Sequence, residues 1–160
     1  MSKLTMAGVT PGYELPLLLF GGFRALIDRL HEELARQGHA DARPAHGFAL
    51  QAIGPSGVTA AELGRRLGVS KQAAGKMVDR LTRLGYVERG PSLADGRAKV
   101  VRLTSLGVDL LNRSAAIFDA LRAEWVAALG EESVRSLESA LRAVVPTGLR
   151  VDAVGWLGAE

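Results

Sequence analysis

Between residues 70 and 83 the sequence places nitrogen-rich side chains at helical spacing. Lys71, Gln72, Gly75, Lys76, Asp79, Arg80 and Arg83 fall opposite Ala74, Val78 and Leu81 on a helix. A Gln72 amide on such a face can make a bidentate contact with adenine, and the Lys76 ammonium can donate to guanine acceptors. Lys71, Arg80 and Arg83 are better placed for phosphates. Gly75 is a poor helix residue, so either the helix backbone comes close to something outside or a neighbouring helix packs against it. Further along, Arg97 lies in a turn-rich segment with Asp95 two residues before it. A guanidinium at such a tip can enter a minor groove, where narrow A·T-rich tracts concentrate negative potential.

The charge distribution agrees with a polyanion surface. From Arg65 to Arg102 there are ten Lys/Arg against three acids, Asp79, Glu88 and Asp95, whereas the whole chain carries only +3. The remainder is therefore net acidic, and the basic segment sits inside an acidic frame. The chain has no cysteine. That excludes thiol redox sensing, a cysteine nucleophile and cysteine-ligated zinc, and it fits a reducing compartment. His31, His39 and His46 lack an i,i+4 pair, so no metal or cofactor is expected. No nucleophile elbow, P-loop or paired-carboxylate motif is present, and an enzyme is not expected. Leu15 to Phe20 is apolar but too short for a signal sequence, and nothing approaches a membrane span. The expectation is a cytoplasmic protein.

These side chains need elements to position them. Phe20, Phe23, Ile27, Leu30 and Leu34 mark an amphipathic helix over residues 15–37, stopped by Gly38. A shorter helix starts at Pro44 and ends at Gly54-Pro55. Thr59-Ala60-Ala61-Glu62 reads as a capping box opening a helix to Leu67. Gly68 permits a sharp turn, Val69 offers one buried side chain, and Ser70 caps the next helix, which ends at Gly85. Two short helices joined in this way form a helix-turn-helix. The strand-like runs 86–89 and 98–103 flank Pro91, Asp95 and Gly96, which predicts a hairpin. Thr104 can cap a long helix with Val108, Leu111, Ala115, Phe118, Trp125 and Leu129 near one face. Gly130 separates it from a last helix marked by Val134, Leu137, Leu141 and Val144 and stopped by Pro146.

The run from Val58 to Arg89, then Asp95-Gly96-Arg97-Ala98-Lys99, then Leu103-Thr104-Ser105-Leu106-Gly107, resembles the MarR (multiple antibiotic resistance regulator) family. Its signature is a winged helix whose wing carries Asp-x-Arg and runs into Leu-Thr-x-x-Gly. The resemblance extends over roughly residues 15–145. It implies a mainly α fold with a small β-hairpin wing, a winged helix-turn-helix flanked by N- and C-terminal dimerisation helices. In that reading residues 1–160 are a single domain. Residues 44–103 form the DNA-binding lobe, 15–37 with 105–145 the dimerisation lobe, and 146–160 a tail. Carried over, the resemblance puts Ser70, Lys71, Gln72, Ala73, Gly75 and Lys76 in a major groove with Arg80 and Arg83 beside them. It puts Asp95, Arg97 and Lys99 on the wing at an adjacent minor groove. The wing tip Ser92-Leu93-Ala94 is more apolar than the family norm, and Gly75 is unusual in mid-helix.

The first helix and the last two carry more apolar surface than a small winged helix buries, which predicts a homodimer. Trp156 and Leu157 in the tail could join that interface or fray. A twofold dimer would present two recognition helices to a palindromic site in double-stranded DNA. The resemblance further implies a transcriptional regulator, a repressor as the commoner case, released by a small aromatic or anionic effector bound between the lobes. His31, Arg43 and His46, near the junction of the first two helices, are the candidate effector ligands. The reading from another class is a winged helix serving as a protein-interaction module with a solvated basic face. Such a module needs no base-reading groups together with a wing arginine.

Overall fold

The computed structural model describes residues 9–92, 96–97 and 99–146, and the elements follow in one order along them. Six helices and a hairpin run α1 Glu14–Arg36, α2 Pro44–Ile53, α3 Ala60–Leu67, α4 Lys71–Arg83, β1 Val87–Pro91, β2 Lys99–Leu103, α5 Ser105–Leu129 and α6 Glu131–Val144 among the described residues. The starts of α3, α4 and α5 lie where side chains satisfy free N–H groups of the first turn. Thr59 Oγ1 accepts from Glu62 N at 3.2 Å, Ser70 Oγ from Ala73 N at 3.1 Å, and Thr104 Oγ1 from Gly107 N at 3.2 Å. Gly68 closes α3 in the left-handed conformation, φ 67° and ψ 29°, which only glycine adopts without strain.

One half of the expected capping box is not made. The Glu62 carboxylate accepts from Arg65 at 2.6 Å and 3.0 Å and from Arg66 at 3.2 Å instead of turning back to the Thr59 backbone. Charged donors one turn ahead outcompete a neutral amide behind. The reciprocal cap belongs to α2, where His46 Nδ1 accepts the Arg43 backbone N–H at 3.1 Å.

β1 and β2 pair antiparallel, from Val87 opposite Leu103 to Pro91 opposite Lys99. Val58 adds a bridge to Val101, with N···O distances of 3.0 Å and 2.7 Å, and so ties the entrance of α3 to the wing. Gly107 explains the Leu-Thr-x-x-Gly run physically: a Cβ there would run into the Tyr86 carbonyl oxygen. That same oxygen accepts the Thr104 N–H at 3.0 Å, so α5 begins flush against the chain leaving α4.

The core joins every element but the last. Leu34, Leu50, Ile53, Leu63, Leu67, Val78, Leu81 and Leu110 are its fully buried large apolar side chains. α1 packs on α5, α2 on α3 and α5, and α3 on α4. Two expectations about faces are corrected here. Ile27, Leu30 and Leu34 face the chain's own core, with Ile27 only 6% exposed, so they are not free for a partner. On α5 the core stripe is Gly107, Leu110, Ile117 and Leu121, not the stripe through Val108 and Phe118. Both stripes have helical spacing; the second lies largely exposed. No helix among the described residues is long and apolar enough to cross a membrane.

Candidate nucleic-acid interface

α4 is braced from one side only. Ala74, Met77, Val78 and Leu81 are buried beneath it, and Val69 packs against the core from the turn before it. Gly64 of α3 lets that turn come close, since a Cβ there would lie 3.0 Å from the Val69 carbonyl oxygen. The opposite side of α4 is open. Ser70, Lys71, Gln72, Lys76, Asp79, Arg80 and Arg83 are all exposed, while Ala73 and Gly75 are half-buried. Nothing lies within 4 Å of a Cβ built on Gly75, so no neighbouring helix accounts for that glycine.

The electrostatics of this face set it apart. Most described arginines elsewhere are held by carboxylates, among them Arg29 by Glu124 at 2.8 Å, Arg113 by Asp109 at 2.7 Å, and Arg122 by Glu138 at 2.6 Å. Lys71, Lys76, Arg80 and Arg83 enter no ion pair among the described residues. The face's own carboxylate, Asp79, is taken by Arg89 of β1 at 2.8 Å, which offsets its negative charge and links helix to wing. A row of exposed, unpaired cations around one amide is a surface able to bind a polyanion and present hydrogen-bonding groups to it.

The wing contributes Lys99, exposed at the start of β2, and Arg97, exposed between the two strands. Asp95, expected to orient Arg97, lies outside the described residues, as do Leu93 and Ala94 of the wing tip and the tail residues Trp156 and Leu157. Arg102 donates to the Pro91 carbonyl and braces the base of the hairpin.

The three candidate effector residues separate. His31 and Arg43 line a cavity of about 220 Å³ between α1, α2 and α5, together with Phe48, Gln51, Ser114 and Phe118. His31 Nδ1 is buried without a hydrogen-bond partner. Burial, and to a lesser extent the Arg43 charge, hold the His31 ring below the usual histidine range against the raising effect of the Ala42 carbonyl. His46 is not on that wall. It is 1% exposed, its Nδ1 serves the α2 cap, and burial followed by the charges of Arg80, Arg43 and His31 pushes its pKa down to about 4.

Sequence reasoning missed a second polar cluster. His39, 3% exposed, reaches the Tyr86 hydroxyl from Nδ1 at 2.9 Å and the Asp109 carboxylate from Nε2 at 2.8 Å. It joins the α1–α2 connection, the start of the wing and α5. The partners lie 47 and 70 positions away in sequence, so no local pattern signals them.

Comparison with known proteins bears on this arrangement. The model of the MarR family matches residues 43–98, which span α2, the helix-turn-helix and β1 and end just before β2. The reduced form of MarR from E. coli is 27% identical, with a TM-score of 0.66, and the match covers 86% of this chain and 98% of that one. Over residues 43–98 the chain is similar to the MarR family, and its fold is similar to that of E. coli MarR. A mutant of E. coli MarR complexed with operator DNA is 28% identical, with a TM-score of 0.63 and coverage of 83% of this chain and 94% of that one. FabT from Streptococcus pneumoniae, in complex with DNA, has a TM-score of 0.70 at 20% identity, covering 82% of this chain and 93% of that one. At that identity the likeness speaks for the fold. A comparison with curated proteins finds no match. The MarR-family segment is thus the one that carries the unpaired basic face, and the outer helices share the family's overall arrangement.

Proposed function

We infer that this protein is a sequence-specific DNA-binding transcriptional regulator of the MarR family that reads a palindromic operator as a homodimer. The observation that carries this reading is the open face of α4, where Lys71, Lys76, Arg80 and Arg83 stand exposed and unpaired around Gln72. A solvated surface has no need to leave its cations without carboxylates while most described arginines elsewhere have one. The operator complex of the 28% identical E. coli protein supports the same partner. In this reading Gln72 and Lys76 read base edges, Lys71, Arg80 and Arg83 hold phosphates, and Arg97 and Lys99 bring the wing to an adjacent minor groove.

Dimerisation is supported by apolar side chains that the chain does not cover. Leu15, Leu17, Leu18 and Phe20 of α1 are exposed, as are Leu137 and Val144 of α6. Such a surface calls for a partner, and a second copy would place two α4 helices about one turn of DNA apart. The cavity carrying His31 and Arg43 supports an effector of small size, mostly apolar, bearing one polar or anionic group. Repression relieved by that effector is the mode the family resemblance implies.

Selection from a random duplex pool tests the reading. The parent is expected to enrich a twofold-symmetric motif. Binding should weaken by about 10³–10⁵ between 50 and 200 mM salt if roughly six to ten phosphates are contacted per dimer. Gln72→Ala or Lys76→Ala should change the enriched bases, whereas Arg97→Ala should weaken binding mainly on A·T-rich flanks. A flat salt response with no enriched motif would overturn the proposal.

A further inference from the structure

Several glycines lie inside helices with ordinary helical backbone: Gly21 and Gly22 in α1, Gly47 in α2, Gly64 in α3, Gly75 in α4 and Gly107 in α5. A glycine in a helix interior is about 1 kcal/mol less favourable than alanine, so each invites a physical reason. For two of them the chain itself supplies it. A Cβ at Gly107 would meet the Tyr86 carbonyl and one at Gly64 the Val69 carbonyl, while one at Gly22 would make only an ordinary contact with the Trp125 ring at 3.5 Å. Gly21, Gly47 and Gly75 have no such neighbour, and of these Gly75 alone lies on the basic face of α4. The space its Cβ would fill is open, and Gln72 and Asp79, one turn away on either side, are exposed.

We propose that Gly75 is the point at which the backbone of α4 comes directly against nucleic acid, and that the missing side chain sets how deep the helix sits in the groove. This rests on the DNA-binding reading above and adds a residue to it that makes no hydrogen bond through a side chain. Gln72 is shorter than the lysines and arginines around it, and its bidentate geometry tolerates little extra separation. Lysine and arginine grips on phosphate are long and adaptable, so they tolerate more. A Cβ at position 75 should therefore cost recognition of sequence more than general attraction to DNA.

The test compares the parent with Gly75→Ala and Gly75→Gln. Each is titrated against the duplex the parent enriches from a random pool and against a random-sequence duplex of equal length, and each is melted alone. Both variants should melt at or above the parent, because helix propensity improves and nothing is struck. Affinity for the enriched duplex should fall about ten-fold for alanine and further for glutamine, with a smaller loss on the random duplex. An alanine variant that binds the enriched duplex as tightly as the parent would overturn the proposal. So would a lower melting temperature with equal losses on both duplexes, which would make Gly75 a folding residue. Failure of the DNA reading itself is distinguishable, since the parent would then enrich no sequence.

Discussion

His46 offers a stability measurement whose size can be worked from its surroundings. The ring is buried, its Nδ1 accepts the Arg43 N–H, and its pKa is pushed from 6.5 to about 4 by burial first and then by Arg80, Arg43 and His31. Protonation would put a charge where water cannot reach and would turn the cap acceptor into a donor. Because the folded pKa lies below the unfolded one, the unfolded chain takes up a proton first as pH falls. The contribution is complete above about pH 6.5 and is lost progressively toward pH 4. At about 1.4 kcal/mol per pH unit the full loss is about 3 kcal/mol, of which about 2 kcal/mol falls between pH 7.5 and 5. His31, also held low by burial, adds in the same direction. Paired carboxylates such as Asp109 and Glu138 have lowered pKa values, so their contribution is complete above the ordinary carboxylate range and is lost only as pH falls through and below it. The histidine window is therefore separable. His46→Gln keeps an acceptor at this cap position and cannot titrate. Urea unfolding at fixed protein concentration should show the parent losing about 2 kcal/mol between pH 7.5 and 5 and the variant losing distinctly less. If parent and variant lose the same amount, or if the His46 ring titrates near 6.5 by NMR, the burial argument is wrong.

The two apolar sets on α1 should respond differently to charge. Phe20→Asp, at a side chain 58% exposed, should leave helicity intact and shift sedimentation from dimer to monomer, whereas Ile27→Asp, at 6% exposed, should unfold the chain. Gly107→Ala should destabilise by roughly 3 kcal/mol or more, read by thermal melting, because the Tyr86 carbonyl it strikes also carries the Thr104 N–H. Gly47→Leu, placed on the cavity wall where a Cβ meets nothing, should leave the melting temperature near the parent's. It should also abolish any melting shift produced by small phenolic or carboxylic ligands.

Much of the fold was legible because its signals are local. Thr59, Ser70 and Thr104 cap through groups three residues ahead, and Gly38, Gly68 and Gly85 end helices through their own backbone geometry. The segregation of charge along the chain pointed to the α4 face before any packing was known, since alternating buried and exposed positions follow from helical period alone. The hairpin differed only in its bounds, because strand ends are set by pairing across the ladder rather than by residue type.

What the sequence by itself determined was the set of helices, their order, and a polar face on the second helix of the turn. Only the tertiary structure decided which of two apolar stripes on α5 meets the core, and that Ile27 is used internally while Phe20 is left over. It also decided that Glu62 answers arginines rather than a backbone amide, and that His46 caps a helix while His31 faces a cavity. His39 joins Tyr86 and Asp109 across three elements. Periodicity states that a helix has an apolar side, but burial is a property of what lies opposite. What lies opposite is settled only when segments distant in sequence are brought together, and the same holds for the open space beside Gly75.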